Sequence, residues 1–195
     1  MAFFPIDEIK RKTFHLLCLL YILAYWFFPW RVVSWGFGIL ISLVIAGEAI
    51  RLTNPSFNKW ILDVLGGVHR QEETGRLSGL LWTLSGSFLT MLIFPDKRIV
   101  VASLLFLAFG DASAALIGKK FGKHKILKQK SLEGSLACFC ACLAVGLLFL
   151  NRPLAVAGAF TATFIELIPW PLNDNFWMPL VSSGILALIS RFFIS

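Results

Sequence analysis

One aspartate stands out because of where it lies. Asp111 sits in Phe109-Gly110-Asp111-Ala112-Ser113-Ala114-Ala115-Leu116-Ile117-Gly118, within an otherwise apolar run, Ile99–Ile117. A carboxylate inside such a run is expensive to bury, and residues of this kind mark functional sites with a partner nearby. Gly110, Ala114 and Gly118 recur at every fourth position, a spacing that lets a second helix approach closely. Six lysines follow with no acid among them: Lys119, Lys120, Lys123, Lys125, Lys128 and Lys130. Then Lys130-Ser131-Leu132-Glu133-Gly134-Ser135 opens the next apolar run, with Ser131 placed as a helix N-cap. Free N–H groups at that helix start, flanked by Lys130, make a phosphate site by geometry and dipole. Glu133 would not bind phosphate, but it could reach a divalent metal that does.

Further candidates recur near the ends of other apolar runs. Glu166 ends Thr163-Phe164-Ile165-Glu166, and Asp174 lies in the turn Asn173-Asp174-Asn175. Asp174 is either a ligand or a helix cap. Arg11-Lys12-Thr13-Phe14-His15 opens the first apolar run, with Arg11 and His15 on one helix face. Glu48 and Arg51 are three apart and suited to pair with each other. Cys18, Cys138, Cys140 and Cys142 follow neither a redox nor a zinc spacing and read as small apolar filler.

The elements that position these residues follow from composition. Hydrophobic residues make up 57% and charged residues 15% of the 195, against roughly 45–50% and 25% in soluble domains. Seven runs approach the roughly 20 residues that span a bilayer: Phe14–Trp30, Val32–Ile50, Leu77–Phe94, Ile99–Ile117, Leu132–Leu150, Pro153–Ile168 and Phe176–Phe193. The expected fold is an all-α polytopic membrane protein of seven transmembrane helices, forming one catalytic domain over residues 1–195. The first run lacks a small-residue cleavage site and reads as a retained span.

Alternating loops sort the 18 basic residues thirteen to five. The excess marks the side carrying Lys10–Lys12, Arg51–Arg76 and Lys119–Lys130 as cytosolic, with the N-terminus inside and the C-terminus outside. The net charge of +7 thus needs no nucleic-acid partner. Of eleven acids, only Asp96 falls clearly on the outer side. Topology does not require that clustering, whereas a site for cations and phosphates explains it. In the cytosolic loop after the second span, Asn54 and Pro55 start a short helix. Phe57, Trp60, Ile61, Val64 and Leu65 share one of its faces, which suits a helix lying in the membrane interface.

These residues occur in the order found in a known family. Arg11-Lys12-x-x-His15, Glu48-x-x-Arg51, Arg70-x-Glu72-Glu73, Gly110-Asp111-Ala112-x-Ala114-Ala115-x-x-Gly118, Phe121-Gly122-Lys123, Lys130-Ser131-x-Glu133-Gly134-Ser135, Glu166 and Asp174-Asn175 all fit. The chain resembles the CTP-dependent lipid alcohol kinases: dolichol kinase, phytol kinase and the yeast-type diacylglycerol kinase. The resemblance implies transfer of the γ-phosphate of CTP to the hydroxyl of a membrane lipid, aided by Mg²⁺ or another divalent cation. It implies a multi-pass protein of the prokaryotic plasma membrane or the endoplasmic reticulum, with its site facing the cytosol. On it, Asp111, Glu133 and Asp174 are candidate metal ligands, and Asp174, Glu166 and His15 are candidate catalytic groups. Arg11, Lys12, Arg70, Gly110, Gly118, Lys119, Lys123, Lys130, Ser131 and Gly134 are candidates for binding the nucleotide.

Where the family has Asp-Asp-Asn before the last span, this chain has Asn173-Asp174-Asn175, one carboxylate fewer. The CDP-diacylglycerol synthases share the Gly-Asp-Ala and Lys-Ser-x-Glu-Gly blocks and are the alternative reading. Their C-terminal Lys-Asp and His-Gly-Gly signature has no match here, since His124 is the last histidine. A transporter or scaffold is a second alternative, but the acids gather at one side and do not line a path across. The sequence specifies neither the alcohol nor an oligomeric state.

Overall fold

The computed structural model describes residues 6–64, 74–127, 130–170 and 172–193. The candidate Arg70 lies outside them, as do Gly66-Gly67, Glu72 and Glu73. The described chain is a bundle of helices: α1 (Ile6–His15), α2 (Cys18–Phe27), α3 (Trp30–Thr53), α4 (Pro55–Val64), α5 (Gly79–Ile93), α6 (Lys97–Leu105), a π-helical segment (Phe106–Asp111), α7 (Ala112–Phe121), α8 (Leu132–Phe149), α9 (Arg152–Leu167) and α10 (Asp174–Phe193). Starts are set by local chemistry. Asn54 Oδ1 accepts from the N–H groups of Ser56 and Phe57 at 3.0 and 3.1 Å, with Pro55 in the first turn. Asp96 caps α6, and Asn151 caps α9 just ahead of Pro153.

The continuous run α6–π–α7, Lys97–Phe121, is the axis of the bundle. Of its most apolar window, 72% is buried, against 17% for α3 and 28% for α8. One side of the axis, with Ile99, Ala102, Phe106 and Leu107, packs on Cys138, Cys142, Ala159, Ile165, Met178 and Leu186 of α8, α9 and α10. The other side, with Val100, Leu104 and Ala108, packs on Ile22, Val33, Phe37, Leu84 and Met91 of α2, α3 and α5. Outward faces are apolar instead of charged: Trp35, Leu43, Leu148, Phe160, Leu188 and Phe192 are all exposed. An apolar exterior this extensive belongs against lipid. By length and composition α3, Lys97–Phe121 and α8 can cross a membrane, and α5 is a shorter apolar helix.

The structure departs from the sequence expectations in three places. The first run is not one straight helix: hydrogen bonds from Leu19 to Leu16 and from Leu20 to Leu17 tighten the backbone between α1 and α2. This break follows one turn after Lys12 and His15, the residues that reach toward Asp111. The fourth run contains the π turn, which pattern reading does not detect because it leaves hydrophobicity unchanged. The lysine-rich connection is not wholly irregular and the fold is not purely helical. Strands β1 (Lys125–Leu127) and β2 (Lys130–Ser131) pair antiparallel, and the Leu132 N–H donates to His124 O at 2.9 Å. This folds the basic segment back onto the start of α8.

Helix ends meet in alternating order. The Lys97 ammonium lies 5.7 Å from the ring centres of Tyr25 and of Trp26, and Trp26 contacts Phe149 edge to face. The end of α2, the start of α6 and the end of α8 therefore share one end of the bundle. At the other end Arg51 forms a clasp. It grips Glu48 through Nε and Nη2 at 3.1 and 2.8 Å and donates to Asn58 Oδ1, Thr74 O and Arg76 O. Glu48 in turn accepts from the Ser78 N–H at 2.9 Å. The pairing expected from the three-residue spacing is present, and it also ties α3 to α4 and to the start of α5. Removing one partner of a buried pair typically costs about 3–5 kcal/mol. Arg51→Met should therefore lower the thermal unfolding midpoint in detergent markedly, whereas an unchanged midpoint would show that the clasp is dispensable.

Candidate active site

Close helix approach shapes the site. A Cβ on Gly134 would lie 2.8 Å from the Ala114 carbonyl oxygen and 3.1 Å from Gly118 Cα, so α7 and α8 touch backbone to backbone. Here the small-residue spacing seen in the sequence meets its partner helix. Ser131 Oγ accepts from the Gly134 N–H at 3.2 Å, capping α8 as expected. Gly110 has a different neighbourhood: a Cβ there would meet Cys142 Sγ at 2.5 Å. That glycine is required by packing against α8 and is not among the residues of the cavity wall.

At the mouth of this contact is a cavity of about 470 Å³, lined by Arg11 and Lys12 of α1, Asp111, Ala114, Ala115, Gly118 and Lys119 of the central run, Lys130 and Ser131 of β2, Gly134 and Ser135 of α8, Glu166 of α9 and Asp174 of α10. The end of α7, the start of α8, the end of α9 and the start of α10 thus converge at one end of the bundle. Asp111 terminates the π segment, and its residue is only 6% exposed. A π turn contains an extra residue and so changes which face the following side chains occupy.

Each acid in the cavity has a cationic neighbour. The Lys12 ammonium pairs with Asp111 Oδ2, both side chains being buried. His15 Nε2 donates to the Leu107 carbonyl at 3.4 Å and lies 3.9 Å from Asp111 Oδ2. Lys130 pairs with Glu166 Oε1 and lies 3.6 Å from Asp174 Oδ2, joining acids from two helices. Burial opposes the charge on Lys130, but Glu166 and Asp174 more than compensate and raise its pKa above the ordinary lysine value. It is therefore an ammonium throughout the neutral range. Asp174 stands at the first position of α10, where its Oδ1 accepts from the Asn175 N–H at 3.1 Å. It is both a helix-start residue and a wall of the cavity.

Besides Gly110, three expected residues lie outside the cavity wall: His15, which stands behind Asp111, Glu133 and Lys123. Glu133 is bonded to His124 Nδ1 at 2.8 Å and to the His124 N–H at 3.2 Å, and it is not among the cavity-lining residues. Lys123 is exposed and likewise outside the lining. Ser135, which the motif includes but to which the sequence assigns no role, has its hydroxyl buried in the cavity wall with no hydrogen-bond partner among the described residues. Its spacing of four from Ser131, which puts both on one face of α8, is the signal that could have found it.

The donor set suits a hard divalent cation. Among the described residues no group of three or more His, Cys, Asp or Glu is arranged to hold a metal, so they form no preformed protein cage. Magnesium, however, is commonly held by one or two carboxylates together with substrate phosphates, and Asp111 and Asp174 share a cavity with four basic side chains and a capped helix start.

Apolar helices thus carry, at one end, a pocket of lysines and carboxylates whose charges suit phosphate groups. The chain is 32% identical over 163 residues to CTP-dependent diacylglycerol kinase 1 of Schizosaccharomyces pombe, covering 73% of this chain and 74% of that one. To the Saccharomyces cerevisiae protein of the same name it is 27% identical over 220 residues, covering 95% and 74%. Dolichol kinase sec59 of S. pombe is 28% identical over 144 residues, covering 67% of this chain and 29% of that protein. No family model matches, and no solved structure does. The chain belongs to the CTP-dependent lipid kinase family, and it is a lipid kinase.

Overpacking a tight contact costs about 1–3 kcal/mol. Gly134→Ala should push α7 and α8 apart, lowering the melting temperature in detergent and weakening nucleotide binding in equilibrium dialysis; retention of both would contradict this packing.

Proposed function

We propose that this protein transfers the γ-phosphoryl group of CTP to the hydroxyl of a membrane lipid alcohol, in a cavity at the cytosolic ends of its helices, with a divalent cation. The observation that carries the reading is one cavity holding Asp111, Glu166 and Asp174 beside Lys12, Lys130 and the N-terminus of α8. Phosphoryl transfer depends mainly on positioning and on neutralising charge, and that is what these groups supply. The names of the relatives support CTP as donor and a lipid as acceptor. Diacylglycerol, polyprenols and phytol-like isoprenoids all offer a hydroxyl on an apolar tail, and they are the acceptors to compare.

In this reading Lys130, Lys12, Arg11 and Lys119 hold the triphosphate beside the positive dipole end of α8, whose Leu132 and Gly134 N–H groups are already bonded to His124 O and Ser131 Oγ. Asp111 and Asp174 would hold the cation, which when bound supplies charge neutralisation on the phosphate oxygens. Glu133, bound to His124, has a supporting role in shaping the start of α8. Glu166 accepts the hydroxyl proton of the lipid. His15, held by the Leu107 carbonyl, stands 3.9 Å from Asp111 Oδ2 as a second neighbour of that carboxylate. Seven membrane crossings, with the N-terminus in the cytosol and α4 lying in the interface, are the arrangement we infer. It is supported by the lysine excess around the cavity and by the alternation of helix ends.

The test is a CTP-dependent assay on purified protein in mixed micelles, with diacylglycerol, dolichol and phytol as acceptors. Loss of a group that stabilises transition-state charge lowers kcat by about 10²–10³, which is the decrease expected for Asp111→Asn, with a smaller one for Glu133→Gln. Glu166→Gln should reduce kcat without weakening CTP binding, since it frees Lys130 for the phosphates. Full activity in Asp111→Asn would remove the basis of the proposal.

A further inference from the structure

The cavity presents an unusual charge problem. Its acids come from the central run, α9 and α10, and each has a lysine against it: Lys12 on Asp111, Lys130 on Glu166 and near Asp174. A carboxylate as buried as Asp111 or Glu166 cannot remain without compensation. Lysine, a compact charge on a flexible stem with three donors, binds phosphate as readily as carboxylate. A divalent cation approaching the same oxygens in the absence of nucleotide meets these ammonium groups, and like charges repel across a poorly screened interior. A nucleotide triphosphate reverses that balance by offering the lysines other oxygens.

We propose that Lys12 and Lys130 are resident counter-ions that change partners: they neutralise the acids of the empty cavity, then turn to the phosphates when the nucleotide enters. This exchange rests on the phosphoryl-transfer reading of the cavity. It frees Asp111 and Asp174 for the cation, and Glu166 for the lipid hydroxyl, only when the donor is present. Lys130 can make the exchange without a rearrangement of the bundle, because it belongs to the short strand β2 and 34% of its side chain is exposed, whereas Lys12 is buried at the cavity wall and turns within it. Its consequence is thermodynamic. Nucleotide and cation each raise the affinity for the other, and by linkage the two enhancements are equal. Without nucleotide, the cavity resists divalent cations.

The experiment is a titration of the full-length protein in detergent with Mn²⁺, following free Mn²⁺ by electron paramagnetic resonance with no nucleotide present. The parent should bind Mn²⁺ weakly. Lys12→Met and Lys130→Met should each bind it about tenfold more tightly, within the usual range of site-to-site coupling. In the same variants, CTP binding measured with EDTA present should weaken by a similar factor. Both changes strip a buried acid of its partner; should size-exclusion chromatography show either variant misfolded, Lys130→Met combined with Glu166→Gln, which leaves no unpaired Glu166 charge, decides the question. Unchanged or weaker Mn²⁺ binding in Lys130→Met would overturn the exchange, as would tight Mn²⁺ binding by the parent. Failure of the parent to bind CTP under any condition would instead count against the phosphoryl-transfer reading, leaving the Mn²⁺ comparison separately interpretable.

Discussion

The ion pair between Lys12 and Asp111 is the constraint around which this structure is arranged. A carboxylate near the middle of the most buried run in the chain is tolerable only with a cation on it, and that cation must come from another element. The chain supplies it from α1, so α1 is tied over the cavity by a charge pair. His15 reaches the Leu107 carbonyl and the same carboxylate, adding a second point of attachment one turn on. The tightened backbone at Leu16–Leu17 then redirects the chain into α2, whose Ile22 and Tyr25 return to the apolar core. The buried charge of Asp111 and the packing of α1 are therefore a single arrangement.

A second constraint comes from the glycines. Gly134 and Gly118 let α7 and α8 meet at backbone distance, which brings the capped start of α8 beside the run bearing Asp111. Deeper in the bundle Gly110 makes room for side chains instead, since a Cβ there would meet Cys142 Sγ at 2.5 Å and Cys138 Sγ at 3.2 Å. Lys130, just ahead of the cap, is consequently in reach of Glu166 and Asp174 on the next two helices. Three acids distant in sequence converge because four helix ends alternate at one end of the bundle.

How much of this was legible in the sequence depended on the physics involved. Helices α3, α5, α8, α9 and α10 followed from the length of apolar runs, with ends displaced by a few residues, because burial in lipid demands such runs. The Ser131 cap, the Asn54–Pro55 start and the Glu48–Arg51 pair were readable because they are local contacts. The π segment, the break after His15 and the β1–β2 pairing were not, since each is set by tertiary contacts that leave no period in the sequence. For the site, Asp111, Glu166, Asp174, Lys12, Lys130 and Ser131 were found from charge placement, and all line one cavity. Glu133 and Lys123 were expected there from their place beside the helix start and in the family's motifs, neither of which reveals that Glu133 turns to His124. The family was recognisable from the order of its motifs, and the relatives bear that out. The identity of the lipid is not encoded in any motif, because every acceptor considered presents the same hydroxyl and differs only in its tail.

The most direct test of the central claim follows the fate of labelled phosphorus. Purified protein supplied with a lipid alcohol, and with CTP labelled at either the α or the γ position, should transfer only the γ label to the lipid and release CDP. Appearance of the α label in the lipid product, with pyrophosphate released, would contradict the account.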